Sequence, residues 1–171
     1  MGAGLAGAQT VAALRAHGFT GRVTILGAEG LPPYDRPPLS KELLTRPGPA
    51  WLTEEIGVDV TALADEALLD DPAVDLEPGT EAVTVTTRSG RRVTADVAVL
   101  ALGSEPVRPP GWEAALTLHT AGDAAHLRER LTPGTRLVSI GAGEHGVAAT
   151  VDGQALVAAL GAQVADVTEP L

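Results

Sequence analysis

Two sets of glycines have the spacing of a nucleotide-binding turn. The first set is Gly2, Gly4 and Gly7, and the second is Gly141, Gly143 and Gly146. In such a G-x-G-x-x-G motif the first glycine permits a tight turn and the second lets the backbone approach a pyrophosphate. The third lets a helix pack closely on a strand, and the N-terminus of that helix attracts the anion. The chemistry predicted for both sets is therefore phosphate binding.

An acid follows each glycine set at nearly the same distance. Glu29 lies 27 residues after Gly2, and Glu169 lies 28 residues after Gly141. A carboxylate at the end of the strand that follows such a motif accepts hydrogen bonds from ribose hydroxyls. The repeat therefore favours two dinucleotide sites. The alternative is that these are turns without a ligand in a chain rich in glycine and alanine.

Hydrophobic periodicity predicts the elements that would position the first glycine set. Residues 7–17 have helical spacing and end at Gly18, a typical residue just after a helix. Residues 22–27 form a short β-branched run that predicts a buried strand. Residues 31–44 predict a proline-rich loop that leads into a short helix. Residues 55–77 are ambiguous and allow one short helix.

The second half of the chain has clearer β signals. Residues 82–103 predict a hairpin that turns at Ser89-Gly90 and leads into the apolar run 97–102. That run is apolar on both faces, as expected of a central parallel strand. Residues 122–131 predict an amphipathic helix, and residues 136–146 predict a strand that enters the second glycine set.

Composition excludes several classes of function. The chain has 171 residues, 44% of them hydrophobic, a net charge of −10 and no cysteine. The acidic charge disfavours nucleic acid and anionic membranes as partners, and no apolar run approaches the ~20 residues that cross a bilayer. The histidines show no metal-ligand spacing. Without thiolates, redox chemistry would need a bound cofactor. We expect a cytoplasmic protein without a signal peptide.

The most specific motif lies between the two glycine sets, and it indicates a family. It reads "LPPYDRPPLSKELL" (31–44), and it accompanies "GAGLAGAQTVAALRAHGFTGRVTILGAE", "VTADVAVLALGSEPVRPPGW" and "RLVSIGAGEHG". In these stretches, which cover most of the chain, the sequence resembles the FAD-dependent ferredoxin reductases that serve oxygenases. These enzymes belong to the pyridine nucleotide-disulphide oxidoreductase superfamily.

The resemblance implies FAD at the first glycine set and NAD(P)H at the second glycine set with its acid. Glu29 would hold the adenosine ribose of FAD, and Arg36 would contact its phosphate or adenosine side. Lys41 would be the catalytic residue, beside flavin N5, where a cation stabilises the anionic reduced flavin. Ala101 and Gly103 would lie in the turn that brackets the flavin.

The sequence departs from the family pattern at several positions. No strand precedes Gly2, which predicts two unpaired strand edges and exposed apolar surface, because the opening strand is central in this fold. Leu102 replaces a threonine, and Glu144 would repel a pyrophosphate. Ala148 stands where the family commonly has a glutamate that pairs with the lysine. The chain ends at Leu171, so it resembles a family member truncated at both ends.

The predicted fold class is α/β, an incomplete Rossmann-like FAD/NAD(P)-binding fold with a β-hairpin or meander insertion. Residues 1–105 would form the FAD-binding portion, and residues 106–135 a linker with the amphipathic helix. Residues 136–171 would begin the NAD(P)-binding domain, with a helix that "TVDGQ" (150–154) interrupts, since glycine costs ~1 kcal/mol inside a helix.

The function that the resemblance implies is electron transfer from NAD(P)H through FAD to a ferredoxin-like carrier. A homo- or hetero-oligomer would complete the truncated fold. One alternative is a degenerate, non-redox relative that serves as a binding or scaffold subunit or as a repurposed tailoring protein. A gene fragment is the other.

Overall fold

A computed structural model describes residues 1–43, 45–108, 110–111, 113–135, 137–139, 146–149, 156–159 and 165–166. The chain forms two compact units. The first comprises Met1–Tyr34 and Trp51–Ser104, and the second comprises Asp35–Ala50 and Glu105–Leu171. The chain leaves the first unit within the strand β2 (Tyr34–Asp35) and returns within β3 (Ala50–Trp51), and these two strands pair with each other.

The first unit opens with the helix α1 (Leu5–Ala16), directly after Gly4. The helix ends as its sequence predicts, because Gly18 has a φ of +80° and its N–H donates to the carbonyl of Arg15 at 3.0 Å. A positive φ at this position is characteristic of glycine. The predicted helix over 7–17 is therefore confirmed, with its start two residues earlier.

A short parallel pair of strands supports α1. The strand β1 (Thr24–Leu26) pairs with β4 (Glu66–Leu68), and the short helices α3 (Leu52–Glu55) and α4 (Val60–Leu63) precede β4 in the chain. The predicted strand over 22–27 is confirmed in shorter form. The buried core consists of Ala8, Val11, Val23, Ile25, Leu52 and Val60.

Asp65 connects the helix to the parallel strands. Its carboxylate accepts from the backbone N–H of Val23 at 2.7 Å and from the guanidinium of Arg15, also at 2.7 Å. The Val23 N–H and the Arg15 side chain hold the pKa of Asp65 below its ordinary value. Arg15 also donates from Nε to the carbonyl of Leu63 at 2.8 Å. The charged pair therefore joins α1, β1 and the end of α4 at the edge of the core.

An antiparallel meander forms the other sheet of the first unit. Its strands are β5 (Ala73–Pro78), β6 (Val83–Thr87) and β7 (Arg92–Ala95), in that order. The turn between β6 and β7 contains Gly90 with a φ of +86°. The predicted hairpin is thus confirmed, and β5 adds a strand from the region that the sequence left ambiguous.

The apolar run 97–102 is not a buried strand, and that prediction is wrong. Val97, Leu100 and Leu102 are 75%, 60% and 65% exposed, and residues 97–102 form no strand. A strand needs backbone partners along its length, and among the described residues this run makes two backbone hydrogen bonds, both with Met1. The N-terminal amine of Met1 donates to the carbonyl of Val99 at 2.6 Å, and the Met1 carbonyl accepts from the Ala101 N–H at 2.7 Å.

Met1 and Gly2 lie between the two segments that an opening strand would join. Gly2 donates its N–H to the carbonyl of Leu26 at 2.9 Å on one side, while Met1 bonds to the backbone of 99–101 on the other. Backbone hydrogen bonds therefore form on both sides of Met1 and Gly2, where the sequence predicted two unpaired edges.

The second unit contains the helices α2 (Pro38–Lys41) and α5 (Ala121–Arg130). The amphipathic helix predicted over 122–131 is confirmed as α5. Thr120 and Asp123 form a capping box at its start, with the Asp123 N–H donating to Thr120 Oγ1 at 3.1 Å. Partial burial raises the pKa of Asp123, but donation from the Thr120 and His119 N–H groups outweighs it and leaves that pKa below its ordinary value.

From residue 138 onward, the described residues form strands. The strand β8 (Val138–Ser139) pairs antiparallel with β11 (Ala165–Asp166), and β9 (Gly146–Ala149) pairs antiparallel with β10 (Leu156–Ala159). The helix predicted directly after the second glycine set is therefore wrong. Its sequence gives the physical reason, since an Asp-Gly pair between two apolar runs favours a hairpin over a helix.

Candidate functional site

The first glycine set closes a turn that admits no side chain at two of its positions. Gly2 has a φ of +100°, and a Cβ on it would lie 2.0 Å from the carbonyl oxygen of Ala101. A Cβ on Gly7 would lie 1.9 Å from the carbonyl oxygen of Gly2. Both distances are far inside van der Waals contact, so the packing of the turn against α1 and residue 101 requires these two glycines.

Gly4 differs from its two neighbours, because a Cβ on it would meet no atom within 4 Å. Gly4 is also the N-cap of α1, and no side chain caps the helix there. The first N–H groups of a helix have no partner within it. Packing in the first unit therefore does not require glycine at this position, whereas the close approach of an anion to these N–H groups would.

Glu29 lies in a bend directly after β1, next to the glycine turn. The end of β1 touches that turn, since the Leu26 carbonyl accepts from the Gly2 N–H at 2.9 Å. One residue later, a Cβ on Gly27 would lie 2.9 Å from the Cβ of Ala3. The exposed carboxylate of Glu29 accepts a hydrogen bond from the hydroxyl of Tyr34. The structure thus brings together the predicted acid and the first glycine set.

Tyr34 is a site residue that the sequence reasoning missed. Its side chain is 5% exposed, and its ring meets Trp51 edge-on with 6.3 Å between the ring centroids. The available signal was its place within "PPYDRPP" in a chain with only 2% aromatic residues, which makes each aromatic side chain worth explaining.

Ala101 and Gly103, predicted to bracket the cofactor, belong to the same unit as the glycine turn. Ala101 contacts that turn directly, through the approach of its carbonyl to Gly2 and through its N–H bond to Met1. Gly103 has a φ of +70°, and a Cβ there would meet nothing within 4 Å. A positive φ of this size is characteristic of glycine, which adopts it without strain.

Arg36 and Lys41 belong to the second unit. The guanidinium of Arg36 donates to the carbonyl of His119, just before α5. Lys41 is the last residue of α2 and is exposed. Among the described residues, its side chain has no hydrogen-bond or ion-pair partner, so its ammonium group is available to a ligand.

Arg128 holds the segment that follows Lys41. From α5 it donates to three backbone carbonyls, those of Leu43 at 2.8 Å, Arg46 at 2.8 Å and Pro47 at 3.2 Å. A guanidinium can serve several carbonyls at once because its donors are fixed in one plane. Sequence reasoning missed this role, because the residues that Arg128 contacts are more than 80 positions away.

In the second glycine set, Gly141 and Gly143 lie outside the described residues. Glu144 and Glu169 lie outside them as well. Gly146 begins β9, and Ala148 lies within the same strand. In the part of the chain that the structure describes, no cluster of histidine and carboxylate side chains could hold a metal ion. No helix within it is long and apolar enough to cross a bilayer.

A sequence profile of the pyridine nucleotide-disulphide oxidoreductases matches residues 1–168. The chain belongs to this family. The match confirms the resemblance that the glycine turn and the proline-rich motif indicate. The geometry of the first glycine set agrees with it, since that turn, the uncapped α1 and the adjacent acid are the parts of a dinucleotide-binding unit.

Several ferredoxin reductases are similar to this chain. The chain is 36% identical over 149 residues to the benzene 1,2-dioxygenase system ferredoxin–NAD(+) reductase subunit of Pseudomonas putida, covering 84% of this chain and 35% of that protein. It is 34% identical over 155 residues to rhodocoxin reductase of Rhodococcus erythropolis, covering 84% and 34%. The chain therefore spans about a third of the length of these relatives.

A solved structure supports the same fold. The structure of Fdr9 is 38% identical to this chain and superposes with a TM-score of 0.68, covering 78% of this chain and 33% of Fdr9. The predicted fold class is confirmed as a partial Rossmann-like FAD/NAD-binding fold. The residues of the first unit fit a dinucleotide, because the open space at Gly4 faces an uncapped helix and the carboxylate of Glu29 is exposed.

Proposed function

We propose that this chain carries the FAD-binding part of an NAD(P)H-dependent ferredoxin reductase. The observation that carries the proposal is the contrast within the glycine turn, where Gly2 and Gly7 are required by packing and Gly4 is not. An open glycine at an uncapped helix start is explained by a ligand that approaches the backbone closely. Bound FAD would supply hydride acceptance from NAD(P)H and the release of single electrons.

The residues of the first unit would bind and orient the cofactor. The N–H groups at the start of α1 would hold the pyrophosphate, and Glu29 would accept bonds from the adenosine ribose. The backbone at Ala101 and Gly103 would border the flavin. From the family resemblance we also propose that Arg36 contacts the phosphate or adenosine side and that Lys41 stabilises the reduced flavin as a cation.

The remaining assignments follow from the resemblance to the ferredoxin reductases. The second glycine set, with Gly141, Gly143 and Gly146, would bind NAD(P)H together with Glu169. The electron acceptor would be a ferredoxin-like carrier, as expected for a relative of the ferredoxin reductases. The divisions at 1–105, 106–135 and 136–171 stay predictions, as do an oligomer that completes the fold and a cytoplasmic location.

The test is to purify the chain, add FAD, remove the unbound cofactor and record the visible spectrum. We expect a bound flavin spectrum that bleaches when NADH or NADPH is added without oxygen. Reduction of an added ferredoxin would extend the result to the acceptor. A folded chain that retains no FAD would refute the proposal and favour the non-redox alternative.

A further inference from the structure

The hydroxyl of Tyr34 reaches an exposed acid from a buried ring. The ring is 5% exposed and is held edge-on by Trp51. The backbone before it is held as well, because the carbonyl of Pro33 accepts from the N–H of Leu52 at 3.0 Å, and Leu52 is a core residue with 1% exposure. The phenol is therefore a donor whose position is set by the core of the first unit.

Glu29, its acceptor, lies in a very different environment. It is exposed in the bend after β1, and the next residue, Gly30, has a φ of +68° and donates its N–H to the carbonyl of Leu69 at 2.9 Å. The backbone of the bend is thus fixed, while the residue is exposed and its side chain is long. A glutamate side chain loses much rotamer freedom when it is ordered, so a free one would bind a ligand less tightly than a held one.

We propose that Tyr34 is a positioning residue that sets the carboxylate of Glu29 for recognition of ribose hydroxyls. An ionised carboxylate accepts several hydrogen bonds at once, and the phenol is one of the donors to Glu29. The inference rests on the proposed function, since it needs an adenosine ribose at Glu29. It adds that the preference for a ribose with both hydroxyls depends on a tyrosine that need not touch the ligand.

The decisive experiment compares ADP with 2′,3′-dideoxy-ADP, which lacks the ribose hydroxyls. Tyr34→Phe keeps the ring and its edge contact with Trp51 and removes only the donor. We expect its Kd for ADP to rise roughly fivefold to tenfold, as the cost of ordering one long side chain on binding allows, with the Kd for dideoxy-ADP unchanged. Thr84→Val is the matched control, because it also removes one hydroxyl hydrogen bond, that to Thr94 at 3.2 Å in the meander, and should change neither Kd.

A second pair of variants tests whether the effect passes through the acid. In a Glu29→Gln background, Tyr34→Phe should add no further loss, because coupled residues are not additive. Glu29→Asp keeps the charge but is one methylene shorter, so it should lose the phenol contact and most of the preference for ADP. Glu29→Asp leaves the buried ring of Tyr34 unchanged, so the inference can still be tested if Tyr34→Phe does not fold.

Three outcomes would contradict the inference. If Tyr34→Phe or Glu29→Asp keeps the full preference for ADP, the phenol does not position the acid. If Tyr34→Phe weakens both ligands equally, its role is structural only. If the unaltered chain binds neither FAD nor ADP, the proposed function is refuted, and the inference with it. That measurement uses no variant, so it distinguishes failure of the proposed function from failure of the inference alone.

Discussion

Substitution of Gly4 by valine should weaken binding of FAD far more than it lowers the stability of the fold. A Cβ at this position meets no atom within 4 Å, and Gly4 has an ordinary φ of −83°. The added Cβ therefore displaces nothing in the first unit. Its cost to the fold is the change of an N-cap residue, about 0.5–1 kcal/mol of unfolding free energy.

The cost to the ligand should be much larger. A branched side chain at the start of α1 would occupy the space through which a pyrophosphate reaches the helix N–H groups. A hydrogen bond to a charged group contributes about 1.5–3 kcal/mol, so losing two of them removes about 3–6 kcal/mol. That free energy corresponds to a Kd for FAD that is about 10² to 10⁴ times higher.

The assay is FAD titration, followed by flavin fluorescence, with urea unfolding measured on the same samples. Gly48→Ala is the matched control, because Gly48 also has open space and no positive φ, and it should leave the Kd for FAD unchanged. If Gly4→Val bound FAD within about threefold of the unaltered chain, the reasoning that links the open glycine to the pyrophosphate would be refuted.

Three further changes probe the fold around the site. Arg128→Lys loses the planar fork that serves three carbonyls and should lower the unfolding free energy by about 1–3 kcal/mol in urea, whereas Arg130→Lys on the same helix should not. Gly2→Ala places a Cβ 2.0 Å from the Ala101 oxygen, so circular dichroism should show loss of the folded state or a markedly lower Tm. The pKa of Asp123 is depressed in the folded chain, so its contribution to stability is complete above the unfolded pKa of about 4 and is lost as the pH falls through the folded value. Asp123→Asn should therefore be less stable than the unaltered chain at pH 7, and equal stabilities there would contradict the capping box.

Elements with local signals could be predicted from the sequence. The end of α1 follows from Gly18, whose backbone conformation suits glycine whatever packs around it. The hairpin follows from Ser89-Gly90 between two β-branched runs, and α5 follows from its apolar spacing. The family follows from the motif at 31–44 and the glycine spacing. Each of these signals lies within a few residues of the structure that it specifies.

Features that depend on distant partners could not be predicted in this way. The pairing of β1 with β4 joins residues more than 40 positions apart. The run 97–102 has the composition of a central strand, yet it is exposed and forms no strand. Strand formation depends on hydrogen bonds with backbone from distant parts of the chain, which composition does not reveal. The helix predicted after Gly146 failed for a related reason, since its apolar residues suit either a helix or a hairpin.

The same distinction between local signals and distant partners applies to the candidate site. The sequence alone determined which residues could bind a dinucleotide, because glycine spacing and a following acid are local patterns that carry their own chemistry. Only the tertiary structure distinguished Gly4, which packing leaves open, from Gly2 and Gly7, which packing requires. It also brought the phenol of Tyr34 to Glu29, since Trp51 packs against the ring and the Gly30–Leu69 hydrogen bond holds the bend that carries the acid.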